Sequence, residues 1–227
     1  MRRRLSVAPG KAAALFIDLQ EEHRRDKRYL IAGFDAIVAN VRDLQRAART
    51  AGIPVFHTAY VVDAATGKLP PFHPVMADGT SAFSDKDNPL SALCPEVGPI
   101  GNEEVLIKSQ ASAFGNGQLA RKLGARSVEW VFIAGVWTEA CIDATVKGAI
   151  DLGYRVILIK DACGSGSVAM HQTGILNLAN RLYGGAVTDT KGACRMMAGE
   201  AVDAWMVEVP VELHFTYANA ADLYHDL

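Results

Sequence analysis

The chain has 227 residues, half of them apolar, and a formal net charge of −2 from 23 basic and 25 acidic side chains. That composition suits one compact α/β domain over residues 1–227, and it leaves no basic face of the kind a nucleic-acid binder presents. No apolar run reaches membrane-spanning length and no secretory signal stands at the start, so neither membrane nor nucleic acid is expected as a partner.

The Arg2–Arg4 run reads as a frayed, solvated terminus. Ala12 to Asp18 (AAALFID) is an apolar run that predicts a buried strand ending in a carboxylate. Phe34, Ile37, Val38, Val41, Leu44, Ala47 and Ala48 fall at helical spacing, and Gly52 stops that helix. Pro54 to Val62 (PVFHTAYVV) follows as a second strand, which makes a β-helix-β unit with parallel strands. Residues 63–102 contain Pro70, Pro71, Pro74, Pro89, Pro95 and Pro99, which exclude a long regular element. A loop of that length in a compact domain serves as a lid or an oligomer contact.

Glu104 to Lys108 (EVLIK) is a short strand ending in a cation, and Gly117 to Leu123 can form a helix. Trp130 to Ala134 reads as the central strand, ended by Gly135. Thr138 then stands where a helix N-cap belongs, with Glu139 at the positive end of the dipole, so Cys141 falls in the first turn of a helix. That position is expected to lower the thiol pKa. Arg155 to Asp161 is a further buried strand, Met170 to Tyr183 a helix and Ala186 to Thr188 the last core strand. Strands alternating with helices predict a parallel sheet covered on both faces. Over residues 201–217, Val207, Val209, Val211, Leu213 and Phe215 alternate with polar residues and Pro210. That pattern predicts an edge strand or an extended arm, which covers its own domain or pairs with a neighbour.

Asp18, Lys108 and Cys141 each lie at or just beyond the carboxyl end of a predicted parallel strand. Such ends share one rim of an open sheet, so three residues far apart in sequence can converge there. An ammonium and a helix N-terminus stabilise a thiolate, and a carboxylate can move protons to and from a leaving group. Taken singly, a strand-end Asp is an ordinary turn former and a strand-end Lys an ordinary solvated cation; the conjunction carries the reading. The other three cysteines, Cys94, Cys163 and Cys194, lack metal-ligand or disulfide spacing, so all four read as reduced thiols of a cytoplasmic protein.

Four segments in order, FIDLQ at Asp18 and Gln20, VLIKSQASAF at Lys108 and Phe114, GVWTEACIDAT at Cys141 and GYRVILIKDACGS at Asp161 and Cys163, resemble the isochorismatase-like cysteine hydrolases. That superfamily includes nicotinamidases and the N-carbamoylsarcosine, ureidoacrylate and biuret hydrolases. The resemblance implies a Rossmann-like three-layer α/β/α fold on a six-stranded parallel sheet of order 3-2-1-4-5-6. It also implies a catalytic triad of Asp18, Lys108 and Cys141, a cis peptide between Val136 and Trp137, and an oxyanion hole from the backbone N–H groups of Trp137 and Cys141. The implied reaction is hydrolysis of a small carboxamide, carbamoyl compound or ureide through a thioester, without a cofactor, in a homo-oligomer (dimer or tetramer). A sibling hydrolysis at a non-amide bond and a non-catalytic binding or assembly relative remain the alternatives.

Departures from relatives narrow this further. Metal-containing nicotinamidases carry Asp-x-His after the second strand; here His57, Asp63 and His73 lack that spacing, so no metal is expected. Isochorismate-cleaving members lack the cysteine, and Asn116-Gly117 replaces a common Gly-Thr. Gln20, His23, Tyr60, Phe114 and Gln172 are pocket candidates by position, with core or surface roles equally open. The His23-Arg24-Arg25 run could hold a substrate carboxylate or simply face solvent.

Overall fold

The computed structural model describes residues 1–66 and 69–227. Its strands are β1 (Arg2–Leu5), β2 (Ala12–Ile17), β3 (Val55–Tyr60), β4 (Glu104–Lys108), β5 (Trp130–Val136), β6 (Arg155–Gly164), β7 (Ala186–Thr188) and β8 (Val202–Trp205). The helices are α1 (Glu22–Arg25), α2 (Phe34–Thr50), α3 (Gln118–Gly124), α4 (Asp143–Asp151), α5 (Val168–Ala179), α6 (Thr190–Met197) and α7 (Ala220–Asp226). The strands form a single sheet of order β1-β8-β7-β6-β5-β2-β3-β4.

Eight strands replace the expected six. From β4 to β7 every neighbour is parallel, and β8 and β1 are added antiparallel at one edge. The Arg2–Arg4 segment is therefore a strand rather than a frayed end. Its ladder runs along β8, Arg3 pairs with Glu208, and the terminal ammonium lies 2.9 Å from Glu212. These partners lie about two hundred positions away, beyond the reach of any local pattern.

Of the expected 201–217 arm, only Val202–Trp205 is strand. Val211 takes a positive φ of 56°, and the buried Asn180 amide grips Leu213 at both backbone groups, at 2.9 and 2.7 Å. The alternation beyond Trp205 is therefore not a pleat, because Leu213 is held against the end of α5. Residues 63–102 are irregular as expected, with single helical turns at Ala64–Thr66, Pro89–Ser91 and Pro95–Val97; residues 67 and 68 of that loop lie outside the described residues.

Both faces of the sheet are buried, and the two-residue period of the strands divides the core in two. Ala12, Ala14 and Phe16 of β2, with Phe132 and Ala134 of β5, pack toward α2 and α6. Ala13, Leu15 and Ile17, with Val131 and Ile133, pack toward the α3–α5 side. This is why β2 and β5 read as continuous apolar runs. Each fully buried large side chain among them contributes about 2 kcal/mol of transfer free energy.

Gly135 is needed where β5 passes β2. Its φ is +126°, and a Cβ there would lie 2.2 Å from the Ile17 carbonyl oxygen and 2.6 Å from the Ile17 nitrogen. Neither backbone atom can move without breaking the β2–β5 pairing at Ile17 and Gly135. Gly135→Ala is expected to cost about 4 kcal/mol, read as the shift in a denaturant unfolding midpoint. A loss below about 1 kcal/mol would refute this packing argument.

Candidate active site

The strand order reverses direction between β2 and β5, and the carboxyl ends of these strands open a crevice where α/β sheets bind ligands. Asp18 follows β2, Lys108 ends β4, and Cys141 follows β5 in a π-helical turn, Thr138–Ile142, that runs into α4. The structure brings the three together. Lys108 Nζ lies 2.6 Å from Asp18 Oδ2 and donates to Cys141 Sγ at 3.3 Å and to the Gln110 carbonyl at 3.2 Å. The same ammonium sits 4.9 Å from the centre of the Tyr60 ring.

Asp18 is buried and adopts a left-handed φ of 52°, a conformation Asp tolerates better than most residues. Oδ1 accepts from Thr58 Oγ1 at 2.7 Å. Oδ2 touches the ammonium by charge alone: it is buried and has no partner in hydrogen-bond geometry. One carboxylate oxygen is thus hydrogen-bonded and the other faces the ammonium.

Cys141 departs from expectation in two respects. Thr138 does not cap its turn, since Thr138 Oγ1 donates to the Gly164 carbonyl at 3.0 Å and sits 2.8 Å from His171 Nδ1. Nor is the thiol pKa lowered. Burial pushes it up to about 12, the Asp18 carboxylate adds to that, and Lys108 opposes it without prevailing. The peptide between Val136 and Trp137 is cis.

Asp18, Trp137 and Cys141 face a cavity of about 420 Å³, which Lys108 does not line. Gln20, His23 and Tyr60 line it, but Phe114 and Gln172 do not. Phe114 is buried beneath, its ring stacked 5.8 Å from Tyr154, and Gln172 lies along α5. Gln20 is spent on structure: its amide spans Tyr60 N, Tyr60 O and Ser91 O at 2.9, 3.0 and 2.8 Å, which pins the long loop to β3. His23 Nδ1 accepts from the Trp137 indole at 3.3 Å, and burial lowers its pKa to about 4, so the ring is neutral.

The basic run splits apart in the structure. Arg24 turns away to Glu21 and Glu96, and Arg25 is exposed. Glu21, Cys94 and Glu96 lie close enough to share an ion, but Arg24 already bridges the two carboxylates. The histidines weighed as ligands are engaged separately, His57 with Glu103 at 3.0 Å and His73 with Ser81 at 2.6 Å, and Asp63 pairs with Lys86.

Sequence reasoning missed Glu22, Tyr29, Phe83 and Ser84, which also line the cavity. Glu22 is buried and accepts from both Ser84 N and Ser84 Oγ, 62 positions away. Only a fixed conformation of the irregular loop brings that serine to Glu22, and no local signal encodes it.

Residues 12–192 match the isochorismatase domain family model. The chain belongs to the isochorismatase family and is a hydrolase of that family. It is 33% identical over 196 residues to the maleamate amidohydrolase of Pseudomonas putida, covering 83% of this chain and 89% of that one. It is 28% identical over 207 residues to the ureidoacrylate amidohydrolase of Acinetobacter baylyi, with 82% and 84% covered. The same fold occurs in a cysteine hydrolase from Pseudomonas syringae pv. phaseolicola, with a TM-score of 0.78 at 19% identity over 87% of this chain and 97% of that one. Among the described residues no helix is long and apolar enough to cross a membrane.

Proposed function

We propose that this protein is a cysteine-dependent amidohydrolase that cleaves the C–N bond of a small carboxamide, carbamoyl compound or ureide through a thioester. The observation that carries this reading is Lys108 Nζ, held 2.6 Å from the Asp18 carboxylate and 3.3 Å from the Cys141 sulfur, two groups that line one cavity. The relatives named for maleamate and ureidoacrylate support the same bond type.

With its pKa held up by burial and then by Asp18, the sulfur begins the reaction as a thiol. As it attacks the substrate carbonyl, Asp18 Oδ2 takes its proton, so negative charge moves from the carboxylate to sulfur. Lys108 Nζ touches both groups, so its attraction persists through the transfer and the step creates no unpaired charge. The backbone N–H groups of Trp137 and Cys141 bind the oxyanion; Trp137 opens the turn Thr138–Ile142 and Cys141 lies within it. Asp18 then hands the proton to the departing nitrogen, releasing ammonia or an amine and leaving the acyl group on sulfur. Finally Asp18 takes a proton from water, which attacks the thioester; the acid departs and the thiol re-forms.

The test is ammonia release across carboxamides, carbamoyl compounds and ureides, run beside esters and vinyl ethers. Cys141-dependent ammonia from at least one class is expected. Cleavage confined to the oxygen-linked compounds would replace this reading with the sibling hydrolysis.

A further inference from the structure

Resting on the amidohydrolase reading, we infer that the substrate's non-reacting part is an uncharged, flat, apolar group such as an aromatic ring, and that the cavity rejects carboxylate-bearing amides. A carboxylate drawn out of water needs a cation or several donors in return, or several kcal/mol are lost. Among the described residues no lysine or arginine lines the cavity. Arg24 is committed to Glu21 and Glu96, and Lys108 to Asp18, Cys141 and Gln110. His23 offers no charge, and its Nδ1 already accepts from Trp137.

The wall instead holds a second carboxyl. Glu22 is 2% exposed and has no salt-bridge partner among the described residues; both of its oxygens accept from Ser84. An anion bound in this cavity would meet the Glu22 carboxyl, which among the described residues no cation offsets.

A cation gains little from these carboxyls, because Asp18 is paired with Lys108 and both Glu22 oxygens already accept from Ser84. Tyr29, Tyr60 and Phe83 form a continuous aromatic wall, with Phe83 centred 5.6 Å from Tyr29 and 5.7 Å from Tyr60. The protein's own cations already use two of these rings: Arg28 lies 5.2 Å from the Tyr29 centroid and Lys108 4.9 Å from that of Tyr60. What remains is apolar ring surface, which suits a flat neutral group. A volume of about 420 Å³ accommodates a substituted benzamide.

Benzamide and two para-substituted derivatives, 4-carbamoylbenzoate and 4-(aminomethyl)benzamide in its ammonium form, share one reacting group and differ in the charge at the para position. Their binding to the Cys141→Ala protein is measured by calorimetry. Benzamide should bind most tightly, the carboxylate at least about 100-fold more weakly and the ammonium about tenfold more weakly. A carboxylate that binds as well as benzamide, or an ammonium that binds better, overturns the inference, and so does benzamide that fails to bind. Ala111→Arg places a cation on the cavity rim and should narrow the carboxylate gap about tenfold; an unchanged gap overturns the charge argument. Ammonia release by the unmodified protein is scored separately. The binding order therefore decides this inference, and turnover decides the function it rests on.

Discussion

Cys141→Ala is expected to abolish amide hydrolysis, a loss of about 10⁶-fold in kcat, while stability stays within about 1 kcal/mol of the parent. Without sulfur no thioester forms, and the oxyanion donors and Asp18 have no attacking atom to assist. The fold should persist, because the side chain is only partly buried and alanine continues the helical turn. The check pairs an ammonia assay with a thermal melt; activity within tenfold of the parent would remove the nucleophile assignment. The resting protonation state gives a second handle. With the thiol pushed up to about 12 by burial and Asp18, a neutral alkylating agent should react slowly at pH 7. Its rate should climb about tenfold per pH unit past the ordinary thiol value near 8.5. A plateau below pH 8 would show that the sulfur rests as an anion and that the proton moves before substrate arrives.

The candidate triad was legible because each member ends or follows a strand with a strong one-dimensional signal. AAALFID and WVFIA are apolar runs buried on both faces, EVLIK is a half-buried edge strand with Ile107 exposed, and a parallel sheet sends their carboxyl ends to one rim. The charge state of the sulfur was not legible. The helix-start argument counts backbone dipoles, whereas burial and the carboxylate of Asp18 depend on how tightly three distant segments close around the thiol. Phe114 and Gln172 failed as pocket residues for a related reason. A position just beyond a strand's carboxyl end does not fix which side of the following segment faces the cavity: Phe114 stacks on Tyr154, and Gln172 lies along α5. The antiparallel edge was hidden at β1, which pairs only with β8, whereas an edge strand was expected over 201–217 but on an alternation that falls beyond Trp205. A short strand that pairs across the whole length of a chain leaves no periodic trace in either segment.

Asp18→Asn separates the two duties proposed for Asp18, because they respond in opposite directions. As the proton carrier of both half-reactions, Asp18 should be worth about 10³–10⁴-fold in kcat, the upper part of the range for general acid–base groups. As a negative charge beside the thiol, it holds the Cys141 pKa up. The substitution removes that charge and leaves Lys108 unopposed, with Nζ 3.3 Å from sulfur. The thiol pKa must then fall, and more thiolate is present at neutral pH. The variant is therefore expected to alkylate faster than the parent at pH 7 while hydrolysing amides far more slowly. Asparagine keeps an acceptor for Thr58 Oγ1, so the strand end should hold its geometry. A merely structural role for Asp18 predicts another pattern: disturbed packing would slow both reactions together and lower the melting temperature. Slower alkylation accompanying slower turnover would thus remove Asp18 from the proton path, whereas the opposed changes require a carboxylate that both restrains the sulfur and carries its proton.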